Sequence, residues 1–427
     1  MPMELSSPPP DARPALRTRR ALVPWFVGHS VMSFSAALAG NSVYYYAHYR
    51  LGTPLVQMLW MAALGGFIYI FSSIFGGRIV DRFGQRRVFL TAGSLTIPTF
   101  FIGYIAVALH SVPLLFVEVI VSNLIISPMW PAVESVLTRS PGKMKLAMRV
   151  TCYNLIWSST CFLAFFLTGT IAALVSWRGI FIVSACGAFL SLLIIFFIAL
   201  PQSMIGTRHI EDDPREQARS NALRASGKSK TLLWMAWVSN SLSFVSANTL
   251  SPIMPVLTLN AGITSPALAT AIGSIAALTR LIGFLFASLW TGWHYQIRWM
   301  LIFFGVMVVS TGGVLISRSP SMLVFTQIFL GLAWAMLYSG SLYYSMHLSH
   351  GSGQNAGIHE AVIGIGTVIG PTLAALVGGP NALGPKTTVL MIILVVGGAG
   401  LFAMERQAHG IAEIANPTNS GSDKGTP

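Results

Sequence analysis

Charge is what this chain has least of. Asp, Glu, Lys and Arg together make up 9% of its 427 residues, against about a quarter in soluble globular domains. No soluble core hides the apolar remainder: 54% of the residues are hydrophobic and the mean hydropathy is +0.68. Cysteine is scarce as well. Cys152, Cys161 and Cys186 are the only three. All fall in or beside apolar runs, and none stands in a CxxC or Cys/His ligand spacing, so neither a disulfide framework nor a metal site is expected. The sequence also lacks a P-loop, an HExxH motif and a nucleophile–base pairing. ATP-driven transport and enzymatic catalysis therefore have no support, and no cofactor is expected. Acidic residues number 13 against 26 basic ones, a formal net charge of +13. In a soluble domain that excess would suggest nucleic acid. Here the basic residues gather in short loops between apolar runs, which is a topology signal for a bilayer, and no nucleic-acid partner is expected.

What the chain does have is long apolar runs. A helix needs about 20 mostly apolar residues to cross roughly 30 Å of hydrocarbon. Twelve such runs centre near Ser33, Gly66, Phe100, Asn123, Cys161, Leu190, Phe244, Ala277, Met307, Leu332, Gly366 and Ile393. The first follows Arg13, Arg17, Arg19 and Arg20 but is too long for a signal peptide, and Gly40-Asn41-Ser42 makes a poor cleavage site, so it is read as a span. With the N-terminus inside, 21 of the 26 Lys and Arg fall on the cytoplasmic side. Only Arg50, Arg178, Arg318 and Lys386 fall outside, and Arg280 lies within a span. This asymmetry predicts that both termini are cytoplasmic in a multi-pass protein, with the plasma membrane as the expected location. The organisation expected is an N-terminal arm (1–20), a six-helix bundle (21–200), a polar central linker (201–231), a second six-helix bundle (232–404) and a cytoplasmic tail (405–427). Weak internal echoes support duplication. Ser33-Phe34 recurs at Ser243-Phe244, the turn glycine Gly52 recurs as Gly262, and "TIAALV" from Thr170 recurs as "TLAALV" from Thr372.

Five charges interrupt this apolar sequence between the second and third predicted spans, in "GGRIVDRFGQRR". Gly77 permits close packing of the second span. Gly84 supplies a tight turn. Asp81 is an anion suited to a helix N-terminus. The pattern Gly77-x-x-x-Asp81-Arg82-x-Gly84-x-Arg86-Arg87 resembles the loop 2–3 signature of the major facilitator superfamily of secondary transporters, G-x-x-x-D-R/K-x-G-R/K-R/K. The chain departs from it at Gln85, where a basic residue is usual. The resemblance implies two bundles that rock against each other around a central site. It also implies a charge lock on the cytoplasmic side, with Asp81 at the start of the eleventh span and the arginines near Glu134 on the fourth and Glu360 on the eleventh. Glu360 is expected to meet Arg78 or Arg82, and Glu134 to meet Arg82 or Arg86.

Ionisable groups inside a bilayer cost about 2.5–3.5 kcal/mol each on insertion scales, so the few present invite explanation. Arg280 either pairs within the C-terminal bundle or holds an anionic or polyhydroxyl substrate. Glu118 either carries a coupling proton or reaches the interface. His29 and His359 are read as packing histidines or proton carriers. Gly366 and Gly370 form a close-contact face, and Pro371 offers a hinge. The resemblance assigns the path to spans one, four, seven and ten. These supply Asn41 and Tyr44 to Tyr46, Asn123 and Trp130, Asn240 and Asn248, and Trp334, Tyr338, Tyr343 and Tyr344. Such amides, phenols and indoles suit a polar, sugar-like solute or an aromatic compound, while some would serve an interfacial belt. The expectation is an all-α, twelve-span secondary transporter of a small solute, with the proton as a candidate coupling ion. Multidrug efflux is the alternative within the class, and a non-transporting membrane sensor is the alternative outside it.

Overall fold

The computed structural model describes residues 12–139, 146–197, 229–348 and 353–415. The expected linker therefore lies almost wholly outside the described residues, as do the start of the N-terminal arm and the end of the tail. Among the described residues there is no strand. The helices are α1 (Ala12–Tyr49), α2 (Leu55–Phe83), α3 (Gln85–Ala108), α4 (Val112–Ile126 and Met129–Arg139), α5 (Leu146–Leu174), α6 (Trp177–Phe196), α7 (Ser229–Asn260), α8 (Pro266–Gly273 and Ile275–Leu289), α9 (Ile297–Ile316), α10 (Pro320–Leu348), α11 (Gly353–Leu376) and α12 (Leu383–Ala415). Eleven of them, α2 to α12, are long and apolar enough to cross a membrane. The first, 38 residues long with a basic start, packs against α5 and α6. Phe67, Phe71, Val309 and Phe325 are exposed, as lipid-facing side chains must be. The chain is an all-α, multi-pass integral membrane protein.

The sequence predicts α4 and α8 as unbroken helices, and both are interrupted. In α4 the break falls at Ser127-Pro128, where the proline has no N–H to continue the ladder. The Ser127 hydroxyl turns back to the Asn123 carbonyl. In α8 the break falls at Ser274, whose hydroxyl donates to the Ala271 carbonyl at 2.7 Å. Each hydroxyl occupies an acceptor beside a disturbed turn, as a low-dielectric setting demands. Both helices also start alike. Ser111 accepts from Leu114 N–H and Ser265 from Leu268 N–H, with a proline in each first turn.

Gly52 and Gly262, the echoing turn glycines, both take left-handed backbone angles, φ +58° and +85°. They follow α1 and α7, so a shared turn geometry accompanies the sequence echo. Lys386, expected in an external loop, is instead fully buried in the first turn of α12. Its ammonium donates to the Ala374 and Val377 carbonyls at 3.2 and 2.8 Å. It thereby satisfies the C-terminal end of α11, where unpaired carbonyls carry negative partial charge.

The first six helices and the last six meet along two seams. In one, α2 runs against α11. A Cβ on Gly66 would lie 2.6 Å from Thr367 Cγ2, and one on Gly364 would lie 2.5 Å from Ile70 Cγ1. The two backbones approach closely because neither position has a side chain. In the other seam, α5 meets both pieces of α8, and Gly169 N–H donates to Thr270 Oγ1 at 3.1 Å. At the end carrying Gly52, Tyr45 and Tyr49 donate to the carbonyls of Ala269 and Ile263. There Leu55 N–H also reaches Asn381 and Val56 N–H reaches Pro380.

Candidate functional site

Two cavities open between the seams and share a wall. One, about 270 Å³, is lined chiefly by α1 and α4, and includes Asn41, Tyr44, Tyr69, Glu118, Asn123 and Trp130. The other, about 170 Å³, is lined chiefly by α7, α8 and α10, and includes Asn41, Asn248, Arg280, Gln327 and Trp334. Asn41, Phe165 and Ser251 belong to both, so the two are lobes of one cleft with walls from both bundles. Of the residues the sequence singles out, the cleft gathers Asn41, Tyr44, Tyr45, Glu118, Asn123, Trp130, Asn248, Arg280 and Trp334.

The charged groups sit at opposite lobes. Glu118 is 2% exposed and accepts a hydrogen bond from Ser122 at 2.8 Å, one turn further along α4. Arg280 lies with its guanidinium 4.6 Å from the centre of the Trp157 ring, a cation–π arrangement. Its Nε is buried without a hydrogen-bond partner among the described residues. Between the lobes, Asn41 donates to Thr168 on α5 at 3.0 Å, and Gln327 holds the α8 break by donating to the Ile272 carbonyl at 3.1 Å. Gln327, Ser251 and Phe165 carry no signal in the sequence. They are one amide, one hydroxyl and one ring among many, and only packing selects them.

Toward the Gly84 end the cleft is floored by aromatic rings. Trp157 meets Tyr338 edge-on at 5.5 Å, Tyr338 meets His359 at 5.4 Å, and Tyr153 stacks on His29 at 5.6 Å. His29 also meets Trp130 edge-on at 5.5 Å. Set into this floor are Glu134 from α4 and His359 and Glu360 from α11, all buried. Their candidate ligand atoms lie within 4.8 Å of one another. The Tyr69 hydroxyl, from α2, donates to Glu360. Glu134 and Glu360 thus come together from opposite bundles, and Glu360 is held by a phenol instead of by Arg78 or Arg82, the partners expected from the sequence.

The arginines take other positions. Arg78 and Arg82 are exposed beside the rings of Phe75 and Phe83, and Arg86 donates to the Phe196 carbonyl at the end of α6. Asp81 and Arg87 are exposed, Gly77 is buried, and Gly84 takes φ +85° at the corner between α2 and α3. The antiparallel pairing of 66 with 367 and 70 with 364 carries Asp81 toward the start of α11 at Gly353.

Several expected cleft residues lie elsewhere. Tyr343 and Tyr344 pack with Trp293, His294 and Tyr295 near the α8–α9 turn, and Tyr344 accepts from Tyr295 N–H at 2.8 Å. Tyr46 donates to the Val107 carbonyl within the first bundle. Asn240 is fully buried within α7, where its side-chain oxygen accepts from Ser243. Tyr338 belongs to the floor. Gly366 and Gly370 abut Ser241 and Thr249 of α7, and Pro371 follows them within α11.

Comparison with known proteins bears on what such a cleft belongs to. No curated protein matches the sequence. Solved structures do match in fold. The peptide transporter POT in complex with sulfate aligns with TM-score 0.69 at 16% identity, over 92% of this chain and 95% of that one. The nucleoside transporter NupG aligns with TM-score 0.65 at 13% identity, over 89% and 98%. A bacterial homologue of the human lysosomal transporter Spinster, inward-facing and unoccupied, aligns with TM-score 0.67 at 12% identity, over 92% and 98%. At such identities the likeness is one of fold. The model of the Major Facilitator Superfamily matches residues 25–371, from within α1 to Pro371 of α11, and the chain belongs to that superfamily.

Proposed function

We propose that the protein is a secondary active transporter of a small polar organic solute bearing an anionic group, working by alternating access in the plasma membrane. The observation that carries this reading is the two-lobed cleft. Its walls come from both bundles, with a buried carboxyl in one lobe and a guanidinium in the other. Arg280, flat on Trp157, suits a carboxylate or phosphate, because a guanidinium presents a fixed fork of donors. Asn41, Asn123, Asn248 and Gln327 supply hydrogen bonds along the cleft, and Trp130, Phe165 and Trp334 supply apolar faces. Peptides and nucleosides, named for two of the fold neighbours, are solutes of comparable polarity.

In this reading α1 is the twelfth span, and both termini face the cytoplasm with the Gly84 end. Glu118 takes up and releases a proton as the cleft is alternately exposed, with Tyr44 of α1 the titratable group that faces it. The basic corner regulates the cytoplasmic side. Asp81 sits against the positive end of the α11 dipole in the closed state and leaves it in the open one.

The test is uptake into proteoliposomes across a panel of organic acids, peptides, nucleosides and sugars, with and without an inward proton gradient. Wild type should accumulate at least one anionic solute only with the gradient. Glu118→Gln should exchange that solute at a normal rate but no longer accumulate it. Accumulation by Glu118→Gln would remove Glu118 from proton coupling. Thermal stabilisation by a solute without flux of any panel member would make the chain a sensor.

A further inference from the structure

The floor of the cleft contains a group of side chains that solute binding does not use. Glu134 comes from α4 in the first bundle, and His359 and Glu360 come from α11 in the second. Each is at most 3% exposed, and one potential ligand atom from each lies within 4.8 Å of the others. The family resemblance brings Glu134 and Glu360 to the same basic corner, but no sequence pattern points to His359 as the third member or to a metal.

A cluster of acids does not by itself make a site, and the histidine is the second, independent observation. His359 Nδ1 lies 3.2 Å from Ser341 Oγ on α10. His359 Nε2 is buried and has no hydrogen-bond partner among the described residues. In the tautomer in which Nδ1–H donates to the serine, Nε2 carries an unshared lone pair in the low-dielectric floor. This is the arrangement by which metal-ligating histidines are oriented, one nitrogen fixed by a hydrogen bond and the other left for the ion. Tyr69 donates to Glu360 and so orients a carboxylate oxygen in the same way. Tyr153 lies beside Glu134.

We infer that Glu134, His359 and Glu360 bind a divalent transition-metal ion, with Zn²⁺ and Mn²⁺ the best matches to one imidazole and two carboxylates. Two carboxylates and one such ion sum to zero charge, which suits a buried location far better than the carboxylates alone. The imidazole disfavours Mg²⁺ and Ca²⁺, which take oxygen ligands. Tyr69 and Trp130 line the cleft and also touch this floor, so the group lies directly below the cavity. Because the ligands come from both bundles, the bound ion ties them together below the solute site. It holds the Gly84 end closed.

Binding is measured on the full-length purified protein, with any affinity tag removed, by calorimetry and thermal unfolding against Zn²⁺ and Mn²⁺ added alone. No flux measurement enters, so failure here is separable from failure of the transport reading. Wild type should bind one ion per chain, and its Tm should rise with ion concentration. Glu134→Gln and His359→Gln, both close in shape to the native residues, should each weaken binding at least about tenfold. Ser341→Ala should weaken it by a similar factor through loss of orientation. His48→Gln, altering a histidine outside the group, should leave binding unchanged. Absence of saturable binding by folded wild-type protein would overturn the inference. So would equal affinity in Glu134→Gln and His359→Gln, or equal binding of Mg²⁺.

Discussion

At the Gly52 end the two bundles meet through neutral groups. Tyr45, Tyr49 and two backbone N–H groups of α2 reach across to carbonyls and the amide of Asn381. At the Gly84 end the cross-bundle groups are Tyr69, Glu134, His359 and Glu360, with the basic corner beyond them. Neutral hydrogen bonds respond little to protons, ions or salt. Carboxyls and imidazoles respond to all three, and guanidiniums to anions and salt. In the proposed reading these are two closures of the same cleft with unequal sensitivities. The Gly52 end is held by neutral hydrogen bonds, and the Gly84 end by charges that a proton, the inferred metal ion or a helix dipole would retune. A transporter needs its two closures to exchange, and placing the responsive chemistry on one side gives that exchange a handle.

The largest effect expected of any substitution that challenges this contrast is at the seam running between both ends. Gly66 faces Thr367 with no room for a side chain, since a Cβ there would lie 2.6 Å from Cγ2 and 3.0 Å from the Thr367 carbonyl carbon. Gly66→Leu should hold α2 off α11, close neither end properly and reduce flux about a hundredfold, taking overpacking at about 3 kcal/mol. Gly305→Leu on α9, where nothing lies within 4 Å, should fold and transport normally. Normal flux in Gly66→Leu would show that the glycine contact along this seam does not govern either closure.

Next in size is the charged end by itself. Asp81→Asn removes the anion near the start of α11 and preserves its shape. Asp81 is exposed, and an exposed charge–dipole contact contributes about 0.3–1 kcal/mol, so flux should fall up to about fivefold while solute affinity, read by thermal shift, stays within about twofold. The loss should shrink as ionic strength rises, because the contact is screened. An unchanged rate would place the responsive closure deeper, at the trio of Glu134, His359 and Glu360.

These expectations rest unequally on what the residues alone reveal. The helices are legible because hydropathy over about 20 residues is a strong signal, and the glycine and aspartate of the basic corner because few other patterns interrupt a run so sharply. The breaks in α4 and α8 are not. Pro128 and Pro131 stand in the α4 stretch, but a membrane helix tolerates proline without breaking, and Ser274 gives no warning at all. Only part of the cleft can be named in advance, most plainly Glu118 and Arg280, which are costly in a bilayer and therefore conspicuous. Gln327, Ser251 and Phe165 are not costly, and only the packing of α5, α7 and α10 brings them together. Tyr343 and Tyr344 mislead for the converse reason. They sit on a path-lining helix, but their rings turn toward Trp293 and His294, and one-dimensional spacing does not report the rotation of a helix about its axis. The meeting of Glu134 with Glu360 needs the register of α2, α4 and α11 at once, which no local pattern carries.

The smallest effect expected is at the neutral end. Tyr45→Phe and Tyr49→Phe each delete a single phenol hydrogen bond to a carbonyl of the other bundle, at 3.3 and 3.2 Å. Such a bond contributes about 0.5–1.5 kcal/mol net, and the ring packing survives the substitution. Tyr45 stacks on Tyr49 at 6.3 Å with the rings nearly parallel, so the two deletions are neighbours and should not add fully. The double variant should lower Tm by a few degrees and favour opening at the Gly52 end by less than about tenfold. That modest change should be the same at about pH 5.5 and pH 8 in a His48→Gln background, which removes the imidazole packed edge-on against Tyr49 at 5.3 Å, and the same with and without added Zn²⁺, since a phenol neither titrates in that range nor competes for the metal. A pH- or metal-dependent response of the double variant would mean that the two closures are not chemically separate. The contrast between them would then have to give way to a single coupled network running the length of the cleft.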